Sequence, residues 1–216
     1  MSLLLPLALS AVVGAMLKTA SRPPVRHYPR ARLLHLGGVL GEDARARILE
    51  GARLRSAELA RSPVTGDDPD YRRSRLFFDA RSLAPDLVDW IESNTPALAD
   101  MLDAPQFAMD DDVECQLTVS GDGDYFRRHD DNGAPETCRR RLSWVYYAHP
   151  RPRRFVGGEL VVVDGDTLRT LEPEGDSLVV FPSAVHHEIR PVRALTPSLD
   201  DARVTLNGWI RERNTT

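Results

Sequence analysis

Lysine and cysteine are scarce in this sequence. Lys18 is the single lysine among 28 basic residues, and the other 27 are arginines. Cys115 and Cys138 are the only cysteines, which excludes a disulfide-dense secreted scaffold and indicates a reducing compartment. Charge of one sign is not in large excess either, since the formal net charge is −4. Composition therefore gives no global electrostatic reason to expect nucleic acid as a partner.

Long apolar runs are also missing. The most apolar stretch, residues 3–17, is shorter than the roughly 20 residues of a membrane-spanning helix. The first positive side chain, Lys18, follows this stretch, whereas a secretory signal carries its basic residues in front. We therefore expect a helix that docks on the domain or on a partner, no stable membrane insertion and a cytoplasmic location. A cleaved signal or membrane association at residues 1–20 is the alternative.

No glycine-rich phosphate-binding motif, internal repeat or low-complexity tract occurs, so nucleotide-dependent chemistry has no support. A chain of 216 residues with 42% hydrophobic residues fits one globular domain. We assign residues 1–25 to an apolar segment with a proline-containing link. Residues 26–216 form the predicted domain, with helical support over 26–110 and a barrel core over 111–211.

The first half of the domain shows helical spacing of apolar residues. One amphipathic helix is predicted over residues 42–59, starting at two acidic residues, and a second over residues 85–102. Residues 61–71 are dense in turn formers and predict a surface loop that leads into a strand at residues 74–78.

After Asp110 the pattern changes to short strands separated by turns. Six are predicted, over residues 113–119, 141–148, 159–163, 177–181, 185–190 and 203–210. The fold class is therefore α+β and mainly β, with a sandwich or barrel buttressed by the N-terminal helices.

The candidate chemistry lies in this second half. His129 and Asp131 are two residues apart in an extended segment, so both side chains project to the same face. His186 and His187 supply a second histidine site on a separate predicted strand. Two histidines and one carboxylate form a facial triad that leaves positions open on iron(II) for oxygen and a bidentate cosubstrate. A solvated loop with surface charges is the alternative for the His-x-Asp pair alone.

The last predicted strand begins with Arg203, whose planar guanidinium suits bidentate capture of a carboxylate. Thr205, Asn207 and Trp209 share its face by strand alternation and would line the same cavity. A surface ion pair is the alternative for Arg203.

Six blocks occur in an order that resembles a known family. They are YFRRHDDN (125–132), RLSWVYY (141–147), FVGGEL (155–160), FPS (181–183), HEIRPV (187–192) and RVTLNGW (203–209). Together they resemble the prolyl 4-hydroxylase-like branch of the iron(II)/2-oxoglutarate-dependent oxygenases. The resemblance covers residues 110–211 well, and it implies a double-stranded β-helix, which is a jelly-roll, cupin-like barrel.

The resemblance also implies a site. The metal ligands would be His129, Asp131 and His187, because the family's distal histidine directly precedes Glu-Ile. Arg203 would take the distal carboxylate of 2-oxoglutarate. Thr205 and Tyr147 would support that carboxylate, although a buried core tyrosine is the alternative for Tyr147.

Three residues are assigned to the substrate pocket. Arg141 shares the predicted strand face of Tyr147 and is a candidate for gripping a substrate carboxylate, with a rim ion pair as the alternative. Asn207 and Trp209 complete the set. Residues 193–201 look inserted before the last strand relative to the family; they could form a rim loop or misplace Arg203.

The implied activity is dioxygenase chemistry. Iron(II), 2-oxoglutarate and O2 would act together, with ascorbate as a stimulant, to hydroxylate an unactivated C–H bond while 2-oxoglutarate is converted to succinate and CO2. The substrate would be a protein prolyl or other side chain, or a small amino-acid-like metabolite. One alternative is a biosynthetic oxygenase that carries out desaturation, epimerisation or cyclisation. Another is a catalytically inactive barrel that acts as a binding module. Neither the substrate nor the oligomeric state follows from the sequence.

Overall fold

The computed structural model describes residues 24–62, 70–111 and 113–214. The predicted N-terminal segment (residues 1–25) lies almost entirely outside the described residues, as does most of the predicted loop at 61–71. In the described part of the chain, no helix is long and apolar enough to cross a membrane.

Two α-helices and fifteen strands are assigned within the described ranges. The helices are α1 (Glu42–Leu54) and α2 (Pro85–Met101). The strands before residue 110 are β1 (Val25–Tyr28), β2 (Leu33–Gly37), β3 (Ala60–Arg61), β4 (Arg72–Arg73) and β5 (Arg75–Phe78). The later strands are β6 (Glu114–Ser120), β7 (Tyr125–His129), β8 (Arg140–Tyr147), β9 (Phe155–Gly157), β10 (Leu160–Asp164), β11 (Thr167–Leu171), β12 (Ser177–Pro182), β13 (His186–Ile189), β14 (Val192–Ala194) and β15 (Arg203–Arg211).

The strands form two antiparallel sheets and a short ribbon. The large sheet has the order β1-β2-β12-β8-β15-β6-β5-β3, and the small sheet has the order β11-β10-β13-β7-β4. Strands β9 and β14 pair as a separate two-stranded ribbon. The mainly β, jelly-roll fold class predicted from the sequence is confirmed.

Alternation along the large sheet separates two apolar clusters. On β8, Leu142, Trp144 and Tyr146 face the cluster that contains the apolar faces of both helices. Val145 and Tyr147 face the other way, into a cluster built from the inner sides of the two sheets. The large sheet is therefore covered by helices on one face and forms the barrel interior with the other.

Asp176 fastens the start of α1 to the sheet. Its carboxylate accepts the backbone N–H groups of Leu40 (2.8 Å) and Gly41, and the Tyr146 hydroxyl donates to it at 2.9 Å. Gly41 has φ +82°, which glycine adopts without steric cost. The turn before β12 thus positions the helix against the barrel.

Both predicted helices are present, but α1 ends at Leu54 instead of residue 59 because residues 55–58 form turns. The six strands predicted after Asp110 are all found, with ends that shift by at most one residue. The segment expected to be mainly helical support also contributes strands: β1, β2, β3 and β5 extend the large sheet and β4 the small one. Of these, β5 was predicted, at residues 74–78. The other four are two to five residues long, too short for a clear period-2 pattern.

Gly208→Ala should destabilise the protein. A Cβ at Gly208 would lie 2.1 Å from the Trp144 ring and 2.3 Å from the Glu114 carbonyl oxygen, where neither neighbour can retreat freely. Overpacking of this kind costs about 1–3 kcal/mol. Urea unfolding of the variant is the measurement, with Gly121→Ala as the control because a Cβ there meets only Asp124 Oδ2, at 3.9 Å. Equal midpoints for the two variants would contradict this packing.

Candidate active site

The pairing of β7 with β13 places two histidines opposite each other. His129 and His187 are direct partners in the antiparallel register, and their ring centroids are 4.2 Å apart. Asp131 follows β7, with one carboxylate oxygen 3.6 Å from His129 Nε2 and the other 3.4 Å from His187 Nε2. The structure thus brings together the three side chains that the sequence singled out.

Backbone carbonyls orient both imidazoles. His129 Nδ1 bonds to the Arg127 carbonyl oxygen at 2.8 Å, and His187 Nδ1 bonds to the Val185 carbonyl oxygen at 3.0 Å. Since a carbonyl only accepts, each Nδ1 carries the proton and donates. In the neutral rings the Nε2 lone pairs are then free, and both nitrogens face Asp131.

A pair of serines holds the Asp131 carboxylate. Ser143 Oγ donates to Asp131 Oδ2 at 2.6 Å and lies 3.0 Å from Ser183 Oγ. The Asp131 backbone N–H donates to the Ser183 carbonyl oxygen at 2.8 Å. Ser143 comes from β8 and Ser183 directly follows β12, so the large sheet positions a carboxylate whose neighbouring histidines belong to the small sheet.

Charge and burial act in opposite directions at this cluster. Burial alone would raise the pKa of Asp131, but His187, His129 and the Ser143 hydroxyl lower it below its usual range. Burial lowers the pKa of His187 to about 4, so its imidazole is neutral at physiological pH. A carboxylate and a neutral imidazole are the protonation states that a metal ion requires.

Aromatic rings enclose the histidines. Phe126 stacks on His129 with ring centroids 3.6 Å apart, and Phe181 meets His187 edge-on at 4.7 Å. His186 is different, because its side chain is 57% exposed and lies 3.9 Å from Asp130. Of the two adjacent histidines, only His187 therefore lies in the cluster with His129 and Asp131.

The donor set fits a metal ion. The candidate ligand atoms of His129, Asp131 and His187 all lie within 4.8 Å of one another. Two imidazoles and one carboxylate are the donors of the facial triad found in non-haem iron(II) oxygenases. The residues present therefore suit iron(II), and they leave the remaining positions to other ligands.

A second polar cluster lies at the start of β15. Arg203 is 2% exposed, donates from Nε to the Gly158 carbonyl oxygen at 3.0 Å, and has its guanidinium carbon 5.1 Å from the Tyr147 ring centroid. Thr205 is the register partner of Tyr147 on β8, and both are fully buried. Arg203 faces the barrel interior alongside Tyr147.

Three polar atoms in this cluster have no hydrogen-bond partner among the described residues. They are Arg203 Nη2, the Tyr147 hydroxyl and Thr205 Oγ1. Buried polar groups are rarely left unpaired, because each costs roughly 1–3 kcal/mol. Burial raises the pKa of Tyr147, partly offset by Arg203, so the hydroxyl keeps its proton and can donate. A guanidinium and two hydroxyl groups, all buried and without a partner among the described residues, suit a carboxylate.

Gly158 allows this arrangement. Its φ is +71°, and a Cβ there would lie 2.8 Å from Arg203 Cδ. The Gly157-Gly158 pair of the sequence therefore serves the arginine: the second glycine gives the side chain room and its carbonyl accepts the Nε–H. The pair belongs to the FVGGEL block (155–160), which does not by itself indicate this role.

Asn207 and Trp209 line the pocket that contains the three candidate ligands. Their side-chain atoms Asn207 Oδ1 and Trp209 Nε1 have no partner among the described residues. Arg140 stacks on the Trp209 ring, with its guanidinium carbon 3.8 Å from the centroid. Gln116 and Arg72, which the sequence did not single out, complete the polar part of the wall.

Arg141 occupies a different environment. It forms an ion pair with Glu212 and is not among the residues that line the pocket. This is the rim ion pair that the sequence left as the alternative. Glu212 is 71 residues away along the chain, so sequence spacing gave no sign of the contact. A substrate role for Arg141 stays a prediction.

Ser143→Ala should weaken metal binding. Loss of the 2.6 Å hydrogen bond frees one Asp131 oxygen to rotate, and removal of such an outer-shell partner typically costs 10–100-fold in metal affinity. Anaerobic iron(II) titration against a chromophoric chelator measures the change. Ser93→Ala, which removes an exposed helix hydroxyl bonded to the Asp89 carbonyl, is the control. Unchanged affinity in Ser143→Ala would mean that the hydroxyl does not position the ligand.

Comparison with known proteins agrees with this geometry. Residues 115–211 match the model of the 2OG-Fe(II) oxygenase superfamily. An uncharacterized PKHD-type hydroxylase of Synechocystis sp. is 29% identical over 205 residues, covering 86% of this chain and 67% of that protein.

Two solved structures share the fold. A prolyl-4-hydroxylase from Pseudomonas putida superimposes with a TM-score of 0.69 at 23% identity, covering 95% of this chain and 100% of that one. A prolyl hydroxylase from Trichoplax adhaerens, solved with a peptide of hypoxia inducible factor, gives a TM-score of 0.64 at 17% identity, covering 98% and 94%. At these identities the structural likeness concerns the fold.

Proposed function

We propose that this chain, which matches the 2OG-Fe(II) oxygenase superfamily over residues 115–211, hydroxylates an unactivated C–H bond of a peptide side chain or of a small amino-acid-like molecule. The family resemblance and the enzyme class predicted from the sequence are confirmed by the same matches. The proposal concerns the outcome of the reaction, the roles of the site residues and the class of substrate.

One observation carries the proposal. The buried His129–Asp131–His187 cluster and the unpaired donors around Arg203 are both inside the barrel, and each matches one component of the family's chemistry. When bound, iron(II) would activate O2, which is the oxidant: one oxygen atom would enter succinate as 2-oxoglutarate loses CO2 and gives up two electrons, and the other would be inserted into the substrate C–H bond.

The chain's own residues perform binding and positioning. His129, Asp131 and His187 would hold the iron through two Nε2 atoms and a carboxylate, each oriented by the hydrogen bonds described above. Arg203 would pair with the distal carboxylate of 2-oxoglutarate, with donation from Tyr147 and Thr205.

The wall around the metal site excludes water and orients the substrate. Phe126 and Phe181 cover the histidine rings, and the unpaired Asn207 and Trp209 atoms are available to hydrogen-bond a substrate. Holding one C–H bond near the metal at a fixed angle is the protein's main catalytic contribution. We also propose that ascorbate stimulates turnover by keeping the iron reduced.

The first test is the His187→Ala variant with His186→Ala as its control. Anaerobic addition of iron(II) and 2-oxoglutarate should give the weak visible charge-transfer band in the wild type and in His186→Ala, but not in His187→Ala, which has lost a ligand. Mass spectrometry of a turned-over substrate then separates hydroxylation from desaturation or epimerisation. A band in His187→Ala equal to that of the wild type would disprove the ligand assignment.

The second test concerns the cosubstrate. Arg203→Ala should weaken 2-oxoglutarate binding by roughly 100-fold, because removing one partner of a buried charge pair costs about 2–5 kcal/mol. Titration of the same visible band measures the affinity. Arg193→Ala is the control, since that residue is exposed on β14. If 2-oxoglutarate affinity falls in the control and not in Arg203→Ala, the cation has been misassigned.

A further inference from the structure

Arg72 brings a positive charge to the edge of the metal site. It lies on β4, whose register pairs Arg72 with Phe126 on β7. The guanidinium carbon is 4.5 Å from the centroid of the Phe126 ring, and that ring stacks on the candidate ligand His129. Arg72 also lines the same pocket as the three candidate ligands.

The Asp131 carboxylate attracts this guanidinium electrostatically but forms no ion pair with it. Arg72 Nε donates to Ser74 Oγ at 3.0 Å, and among the described residues no ion pair of Arg72 is formed within 4 Å. Burial lowers the pKa of Arg72 to about 10, so the side chain remains charged at neutral pH. Partial burial of an unpaired charge is costly unless a ligand compensates it.

Counting formal charges in the loaded site leaves Arg72 unbalanced. The 2+ charge of the iron would be balanced by Asp131 and by one carboxylate of 2-oxoglutarate, and the other carboxylate of 2-oxoglutarate would be balanced by Arg203. His129 and His187 bind as neutral imidazoles. Among the charged side chains that line the described part of this pocket, Arg72 would then have no counterpart before a substrate binds.

A basic cleft of about 440 Å³ adjoins this position, and Arg72 belongs to its lining as well. Arg61, Arg73 and Arg75 line it too, and none of the three forms an ion pair with another described residue. Two carboxylates, Asp70 and Asp124, also face the cleft. Among the described lining residues, four arginines face two acids, and this excess of positive charge would attract anions towards the pocket.

We propose that Arg72 binds a carboxylate of the substrate, and that the enzyme therefore acts on an acidic substrate class. The planar guanidinium favours bidentate pairing with a carboxylate, and its position beside Phe126 and His129 places that carboxylate next to the reacting C–H bond. The inference rests on the proposed function and specifies the substrate of the same site.

The carboxylate has two chemical sources. One is the free α-carboxylate of a small amino-acid-like molecule, and the other is an Asp or Glu side chain beside the target residue of a peptide. Matched acid and amide probes separate these sources. The first pair is a pool of N-acetyl amino acids and the corresponding N-acetyl amino acid amides. The second is a pool of end-capped proline peptides flanked by Glu and the same peptides flanked by Gln.

The experiment measures binding to the anaerobic iron(II)·2-oxoglutarate enzyme by the shift of its visible band, and then succinate release in air. In the wild type, the acid member of one pair should bind at least ten-fold more tightly than its amide. Arg72→Gln should reduce this ratio to near one, whereas Arg72→Lys should retain part of it. The pair that responds identifies the source.

Arg169→Gln is the matched control, because Arg169 also lies over an aromatic ring, 4.6 Å from the Tyr28 centroid, but does not line the metal pocket. It should keep the full acid preference. The affinity for 2-oxoglutarate, measured before any probe is added, should change less than two-fold in Arg72→Gln.

Three results would overturn the inference. Amides that bind as well as acids, or no binding by any pool, would show that no substrate carboxylate is recognised. An acid preference that survives Arg72→Gln would assign recognition to another residue. A large loss of 2-oxoglutarate affinity in Arg72→Gln would show that Arg72 serves the cosubstrate. Failure of the wild type to bind 2-oxoglutarate is distinguishable from all three, since it precedes the probes and refutes the proposed function itself.

Discussion

The register between β7 and β13 is the constraint on which the site depends. It sets His129 directly opposite His187, and the turn after β7 then delivers Asp131 between their Nε2 atoms. Because side chains alternate along a strand, a slip of one residue would replace His187 with a neighbour that points to the other face. If His186 took the place of His187, its imidazole would lie outside the aromatic enclosure, because the His186 side chain is exposed.

The large sheet divides its residues between two tasks through the same alternation. On β8, the even-numbered residues pack against the helices, while Ser143 and Tyr147 face the barrel and reach Asp131 and the Arg203 cluster respectively. Packing and chemistry are therefore coupled through one backbone. A substitution such as Gly208→Ala, on the helix side of β15, moves a strand whose other side carries Arg203 and Thr205.

The sequence predicts the parts of this site that follow from local patterns. Strand alternation brings out Arg203 and Thr205, and the resemblance to a known family selects His187 over His186. Contacts between distant segments are not predictable in this way. Arg141 pairs with Glu212, and Arg72 reaches the pocket on a two-residue strand that leaves no periodic signal. Ser143 lies on a face that the sequence identified, but its bond to Asp131 depends on how two sheets meet.

Strand β15 sits between β8 and β6, in the interior of the large sheet. Among the described strands it comes last in sequence, and it is the strand that joins β8 to β6. During synthesis, the β12–β8 and β6–β5 halves of that sheet remain unjoined until residue 211 has left the ribosome. Closure of the barrel, and with it the burial of Arg203 beside Tyr147, is therefore a late event that waits for non-local pairing. A nascent chain that stops short of β15 would expose two sheet edges at once, and such edges are prone to aggregate.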